Sequence, residues 1–331
     1  MDILTQGLLG SAMAQTATQP EEIRRVALLG FIAGLAADAD ILISSTQDPL
    51  LTIEYHRQFT HSLFFIPFGA LIVALLMWFF FRKSMHITRI YLFCLLGFSL
   101  SGFIDACTSY GTQLLWPVSG QRIAFNIISI IDPIFTLPLM LFLLFALVKK
   151  QKRFAFIGLA WCASYLSIGF WQHQRVEHAA QALATSRGHT IESLVVKPSF
   201  GNLLVWRSIY AAGEQFYIDA IRAGIDSTEI YQGNAISRLE TKRDFPDLVP
   251  GSVIAKDIER FRSFSNGYLA LQPGEEDVIG DIRYSILPNN TVALWGIKID
   301  VSQPQQHATF MTFRQLTPEM KSQFVDMLTG R

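Results

Sequence analysis

The stretch His56-Arg57-Gln58-Phe59-Thr60-His61-Ser62 packs two imidazoles, a guanidinium and two hydroxyls together, and an apolar run from Leu63 to Phe81 follows at once. Polar groups at the mouth of a membrane helix are costly unless they hold something. Imidazoles joined by carboxylates from other helix ends would form a metal or phosphate site. Asp38 and Asp40 close one apolar run and Asp105 closes another. Such mixed nitrogen and oxygen donors suit Zn²⁺, Mn²⁺ or Fe²⁺. These ions activate water and stabilise a phosphoryl or acyl oxygen.

Each signal also has a plainer reading. His56 and His61 are five apart, about 140° of helical rotation, so they do not share a helix face. The spacing predicts His56 in a loop, Thr60 as an N-cap and His61 on the first turn, where a helix start favours anions. The alternative is a His-Arg pair that holds lipid headgroups. Asp38 and Asp40 could equally be solvated helix-end residues, and Asp48 and Glu54 read as solvated loop residues. In the segment from Asp105 to Pro117, Gly111 permits a turn near a ligand and Thr108, Ser109 and Thr112 supply hydroxyls. It also reads as a polar turn capped by Trp116. Asp132-Pro133 has the form of a helix start, with Asp132 as N-cap. Ser62 lies outside any Gly-x-Ser-x-Gly context, which argues against a serine hydrolase.

The elements that must position these groups are membrane helices. Half of the 331 residues are hydrophobic and only 16% are charged, and the mean hydropathy is +0.31. That is too apolar for an ordinary soluble chain of this size. Net charge is zero, with no clustered basic face for nucleic acid. The three cysteines, Cys94, Cys107 and Cys162, form no CxxC pair and no disulfide framework. The first residues carry Asp2 and no basic group, so a cleaved secretory signal is not expected.

Residues 3–17 read as a short helix packed on a bundle. Candidate spans are Val26 to Ser44, Leu63 to Phe81, Ile90 to Ile104, Ile123 to Val148 and Phe154 to Trp171. Arg24/Arg25, Arg82/Lys83/Arg89 and Lys149–Arg153 then fall on one side, which the positive-inside rule makes cytoplasmic. Asp38, Asp40, His56, His61 and Asp105 gather at the other surface, with Asp132 within a few turns of it. Trp116, Trp161 and Trp171 suit interface positions.

After residue 171 the composition becomes that of an α+β domain of roughly 150 residues, enough to bury its own core. Gln172 to Arg187 is helix-compatible and stops at Gly188. Ser193 to Val196, Leu203 to Tyr210, Gln215 to Ile221, Asp281 to Leu287 and Val292 to Ile299 read as strands, with a hairpin at Ala211-Ala212-Gly213-Glu214. A closing helix is expected within Phe313 to Leu328, after Thr317-Pro318.

An ordered set of motifs carries a resemblance. It comprises Met1-Asp2-x-x-Thr5-x-x-x-x-Gly10, Asp38-x-Asp40, His56-Arg57-x-x-Thr60-His61-Ser62, and Asp105 with Tyr110-Gly111-Thr112-x-Leu114-Leu115-x-Pro117. Together these resemble the YdjM/YbcI-type family, bacterial and archaeal inner-membrane proteins described by inference as metal-dependent hydrolases, some also labelled LexA-binding. The set covers about residues 1–140. Asn202-x-x-x-Trp206-Arg207 and Leu294-Trp295-Gly296 are similar to the longer members. The resemblance implies a site related in idea to zinc-dependent phospholipases C, with Asp38, Asp40, His56, His61 and Asp105 as ligands and Arg57 near a phosphate. Two positions depart from the pattern. Gln6 stands where the family usually has His, which weakens one metal position or leaves it to another group. Ala37 stands where Pro is common, which alters a turn.

The expectation is therefore an α-helical membrane bundle of about four to five spans over residues 1–171, followed by a soluble α+β domain over 172–331 on the non-cytoplasmic side. The chain would be a multi-pass protein of the bacterial inner membrane. It would be a metal-dependent hydrolase, zinc first among the metals, acting on a lipid or lipid-linked phosphoester or ester at the outer face. His61 and Arg57 are the catalytic candidates, membrane lipids are the expected partners, and nucleic acid is not. The rival reading is a non-enzymatic anchor or regulator that presents 172–331 to a protein partner. A transporter ranks last, because the polar residues sit mainly at one end and no repeat-related halves are visible.

Overall fold

The computed structural model describes residues 1–331 and resolves into two compact units. The first comprises Met1–Ile43, Tyr55–Trp171 and Phe200–Asn202, and the second Ser44–Glu54, Gln172–Ser199 and Leu203–Arg331.

The first unit is helical. Its elements are α1 (Ile3–Thr16), α2 (Ile23–Ala36), a 3₁₀ turn over Ala37–Leu42, the short α3 (Leu51–Tyr55) that begins in the second unit, a 3₁₀ turn over Phe59–His61, α4 (Ile66–Phe81), α5 (Ile87–Phe98), α6 (Ser101–Cys107), α7 (Pro133–Lys149) and α8 (Arg153–Ser186). The boundary Trp171/Gln172 falls inside α8. Asp2 caps α1 by accepting the Thr5 N–H. Helices α1, α2 and α5 cross with backbones in contact. A Cβ on Gly10 would lie 2.3 Å from the Gly30 carbonyl oxygen and 2.7 Å from that of Gly97, and one on Gly34 would lie 2.5 Å from that of Gln6. Small residues allow this approach between apolar helices. Asp132 caps α7 through the N–H groups of Ile134 and Phe135, with Pro133 at the first helical position, as its sequence suggests.

Two helical stretches are long and apolar enough to cross a membrane, Ile87–Cys107 and Arg153–Ser186. The pair Leu51–His61 and Ile66–Phe81, bent by 90°, makes a third if it counts as one span. Four to five spans are expected from the sequence. The difference arises because two apolar runs are not continuous helices. Val26 to Ser44 divides into the 14-residue α2 and a 3₁₀ turn. Ile123 to Val148 is helical only from Pro133, leaving a shorter apolar helix.

The second unit is built on two antiparallel sheets. The first contains β1 (Ser193–Pro198), β2 (Val205–Ala212), β3 (Gln215–Ala223) and β4 (Thr228–Tyr231) in that order, with β5 (Ala235–Ser237) also pairing with β3. The second runs β6 (Leu269–Leu271), β7 (Val278–Asp281), β8 (Trp295–Lys298), β9 (Thr309–Thr312). Helices α9 (Thr241–Asp244), α10 (Val253–Phe264) and α11 (Pro318–Thr329) complete it. Ala212 pairs with Gln215, so Gly213-Glu214 is a two-residue hairpin turn, with Gly213 at φ 59°. Ile209, Phe216, Ile218, Tyr268, Ala270 and Ile282 share one core across both sheets. The strand expected over Asp281 to Leu287 ends at Asp281. That carboxylate turns back to accept the Arg283 N–H and guanidinium, and this local bonding replaces the ladder.

Lys197 on β1 is buried, with Nζ 3.2 Å from the Tyr284 ring centroid. Burial first, and then the charge of Arg283, push its ammonium well below the usual 10.5. Between that depressed value and 10.5 the unfolded chain holds more protons, so this group makes stability rise with pH across the window. Lys197→Met is expected to raise the unfolding temperature at pH 7 by a few degrees, on the order of 1 kcal/mol, and to flatten that slope. Thermal scans from pH 7 to 10 check it.

Candidate metal centre

The 3₁₀ turn that ends α2, the 3₁₀ turn before α4 and the buried end of α6 bring Asp38, Asp40, His56, Arg57, His61 and Asp105 into one cluster. His61 is its centre. Its Nε2 lies 2.9 Å from Asp105 Oδ2 and 3.3 Å from Asp38 Oδ1, and its Nδ1 lies 3.2 Å from Asp40 Oδ2. His56 Nδ1 lies 2.8 Å from Asp40 Oδ1. Thr60 does not cap a helix. Its hydroxyl donates to Asp40 Oδ2 at 2.7 Å, and α4 begins only at Ile66. The expected helix start under His61, with its pull on anions, is therefore absent.

Asp40 also accepts the Arg57 N–H at 2.9 Å. With both imidazoles and Thr60 around it, this carboxylate fixes the orientation of the two histidines. Arg57 adopts φ 60°, a strained conformation for a residue with a side chain, of the kind that clusters at functional sites. Its guanidinium reaches Asp105 at 3.2 Å and the Thr108 hydroxyl at 2.8 Å. Asp105 further accepts the Gln6 amide at 3.0 Å and the Met1 amino group. Arg122, which the sequence does not single out, donates to the carbonyls of His56 and Gly111.

His61 Nε2 makes no aligned hydrogen bond despite its two carboxylate neighbours, and Asp38 Oδ2, Gln6 Oε1 and Arg57 Nε are likewise buried without partners. Buried polar atoms are nearly always satisfied. Two of these atoms, His61 Nε2 and Asp38 Oδ2, can ligate a cation and belong to residues that converge with Asp105. One ligand atom each from Asp38, His61 and Asp105 lies within 4.8 Å of the others, and so do atoms of Asp38, Asp40 and His56. Asp38 is common to both groups. Its side chain is 13% exposed and that of His56 20%, while His61, Asp40 and Asp105 are sealed, so access is from the Asp38/His56 side.

Other candidates lie elsewhere. Ser62 Oγ donates to the Phe59 carbonyl. Asp132 accepts the Tyr165 hydroxyl at 2.9 Å as well as capping α7. Asp132→Asn is therefore expected to leave bound metal at the wild-type level, which elemental mass spectrometry checks. In the second unit Asp48, Asp257 and His307 also converge. Arg260 sits among them, 3.0 Å from both Asp48 and Asp257 and 2.7 Å from Glu54. Its charge satisfies the carboxylates, so Asp48 and Glu54 are structural ion-pair partners rather than simply solvated.

The family described as YdjM inner membrane protein matches residues 1–176. The chain is also similar to the uncharacterized protein YfhP of Bacillus subtilis (strain 168), at 22% identity over 226 residues, covering 66% of this chain and 67% of that protein. No solved structure shows a significant match.

Proposed function

Because the chain belongs to the YdjM inner membrane protein family, we propose that it is a membrane-bound, metal-dependent hydrolase acting on a lipid or lipid-linked phosphoester or ester. The observation that carries this reading is the cluster of Asp38, His61 and Asp105 around unsatisfied ligand atoms. Asp38, His61 and Asp105 would hold one cation, and Asp38, Asp40 and His56 offer a second position beside it. Zn²⁺, Mn²⁺ and Fe²⁺ all accept such donors, and the likeness to zinc-dependent phospholipases C puts Zn²⁺ first. A bound divalent ion supplies a water of lowered pKa and a positive charge for the oxygen that develops negative charge.

The remaining work falls to the chain itself. Arg57 is tethered through its terminal nitrogens, so its unpartnered Nε is the donor left to bind a phosphoryl oxygen. Asp40 holds both imidazoles in orientation. The chain beside the site residues is apolar and exposed at Ile41, Leu42, Leu63 and Phe64, which favours an acyl-chain substrate over a water-soluble one.

The proposed location is the outer face of the inner membrane, with α2 and α7 joining the longer helices in the bundle and residues 172–331 on the non-cytoplasmic side. Basic residues at the helix ends opposite the site support this sidedness. They include Arg89, which pairs with Glu22 at 2.8 Å.

The test is hydrolysis of a fluorogenic phospholipid by detergent-purified protein. Turnover that is abolished by chelator and restored by added divalent ion is expected. Metal-loaded, folded protein that turns over no phosphoester or ester lipid would favour the anchor or regulator reading instead.

A further inference from the structure

We propose that Gln6 is a ligand of the Asp38–His61–Asp105 position through its amide oxygen, and that this oxygen limits the site's preference for Zn²⁺ over Mn²⁺. The proposal rests on the metal reading above and deepens it.

Gln6 is 1% exposed and sits on the face of α1 that the glycine crossing presses against α2. Its Nε2 donates to Asp105 Oδ2 at 3.0 Å. The opposite amide assignment would set two acceptor oxygens against each other, so the hydrogen bond identifies Oε1 as the other atom. That oxygen is buried and has no donor, which is costly for an amide carbonyl. The acceptor Asp105 Oδ2 is the same atom that faces His61 Nε2 at 2.9 Å. Gln6 is thus tied to Asp105, whose ligand atom converges with those of Asp38 and His61, and Gln6 Oε1, Asp38 Oδ2 and His61 Nε2 are all left without a partner. They are an amide oxygen, a carboxylate oxygen and an imidazole nitrogen, all donors to a divalent cation.

With Asp105 the set is three oxygens and one nitrogen. Oxygen donors suit Mn²⁺ and Mg²⁺, whereas imidazole favours Zn²⁺ more strongly. Zn²⁺ remains the tighter ion at almost any such site, so position 6 is expected to act on the ratio of the two affinities rather than to reverse them.

The experiment compares wild type with Gln6→His, Gln6→Glu and Asp105→Asn, purified as full chains in detergent. It reads Zn²⁺ and Mn²⁺ affinities by competition and the nitrogen couplings of bound Mn²⁺ by pulsed electron paramagnetic resonance. Gln6→His is expected to raise the Zn²⁺:Mn²⁺ affinity ratio about tenfold or more and to add one directly bound nitrogen. Gln6→Glu keeps an oxygen in the ligand position but sets its second oxygen against Asp105 Oδ2, so it is read in one direction, a rise in Mn²⁺ affinity supporting direct ligation.

An unchanged ratio with no added nitrogen in Gln6→His overturns the proposal while the metal reading stands. A wild type that binds neither ion overturns the metal reading itself and this proposal with it, whereas Asp105→Asn with wild-type affinity removes Asp105 from the site and overturns this proposal, which depends on that position.

Discussion

Asp105→Ala is expected to bring bound metal down to background and to lower stability by about 3–5 kcal/mol. Asp105 is fully buried and is the shared partner of Arg57, His61, Gln6 and the Met1 amino group. Removing it leaves the Arg57 guanidinium, 3% exposed, without its carboxylate. An uncompensated buried charge is the expensive half of a broken ion pair. Asp105→Asn separates the two consequences. It keeps the shape and part of the hydrogen bonding but removes the charge, so metal should be lost with a smaller drop in stability. Elemental mass spectrometry and thermal unfolding with and without chelator measure both. Stoichiometric metal in both variants would remove Asp105 from the site.

Gly102→Ala should do comparable damage to the site from outside it. A Cβ at position 102, on α6, would lie 2.0 Å from the His61 carbonyl oxygen. Backbone cannot swing aside as a flexible side chain can. The strand of chain that must move is also tied down, since the Leu63 N–H next to it donates to the Leu114 carbonyl at 3.0 Å. The His61 carbonyl or α6 must therefore shift by about 1.4 Å to reach ordinary contact at 3.4 Å, and a displacement of about 1 Å can already cost about a hundredfold in activity. Overpacking adds a stability loss of about 1–3 kcal/mol. Gly120→Ala is the control, because a Cβ there meets nothing within 4 Å. Metal affinity and unfolding temperature are read for both. Wild-type behaviour of Gly102→Ala would mean that His61 does not need its observed position.

Several features of this protein were legible from residue order. Capping signals act locally, so Asp132-Pro133 and Thr317-Pro318 mark the starts of α7 and α11. Gly213 permits the positive φ of a tight hairpin turn. Apolar runs ended by polar groups raised the expectation that Asp38, Asp40, His56, His61 and Asp105 come together, and their side chains do lie in one cluster.

What the pattern did not contain is how those residues divide their roles. Thr60 has the form of a cap, but its hydroxyl donates to the carboxylate of Asp40, 20 positions away. Asp132 and Asp105 look alike in sequence, yet one faces Tyr165 and the other faces His61. Arg260 reaches Asp48 and Glu54 across more than two hundred residues. Gln6 enters the site only because Gly10, Gly30, Gly34 and Gly97 let three helix backbones touch. Sequence alone marked an apolar helical half, a mixed α and β half and the capped starts of α7 and α11, but not where the apolar runs break or most of the short strands. Tertiary structure decided which atom satisfies which. A buried polar atom takes its partner by distance and angle in space, and neither is written in the spacing of residues along the chain.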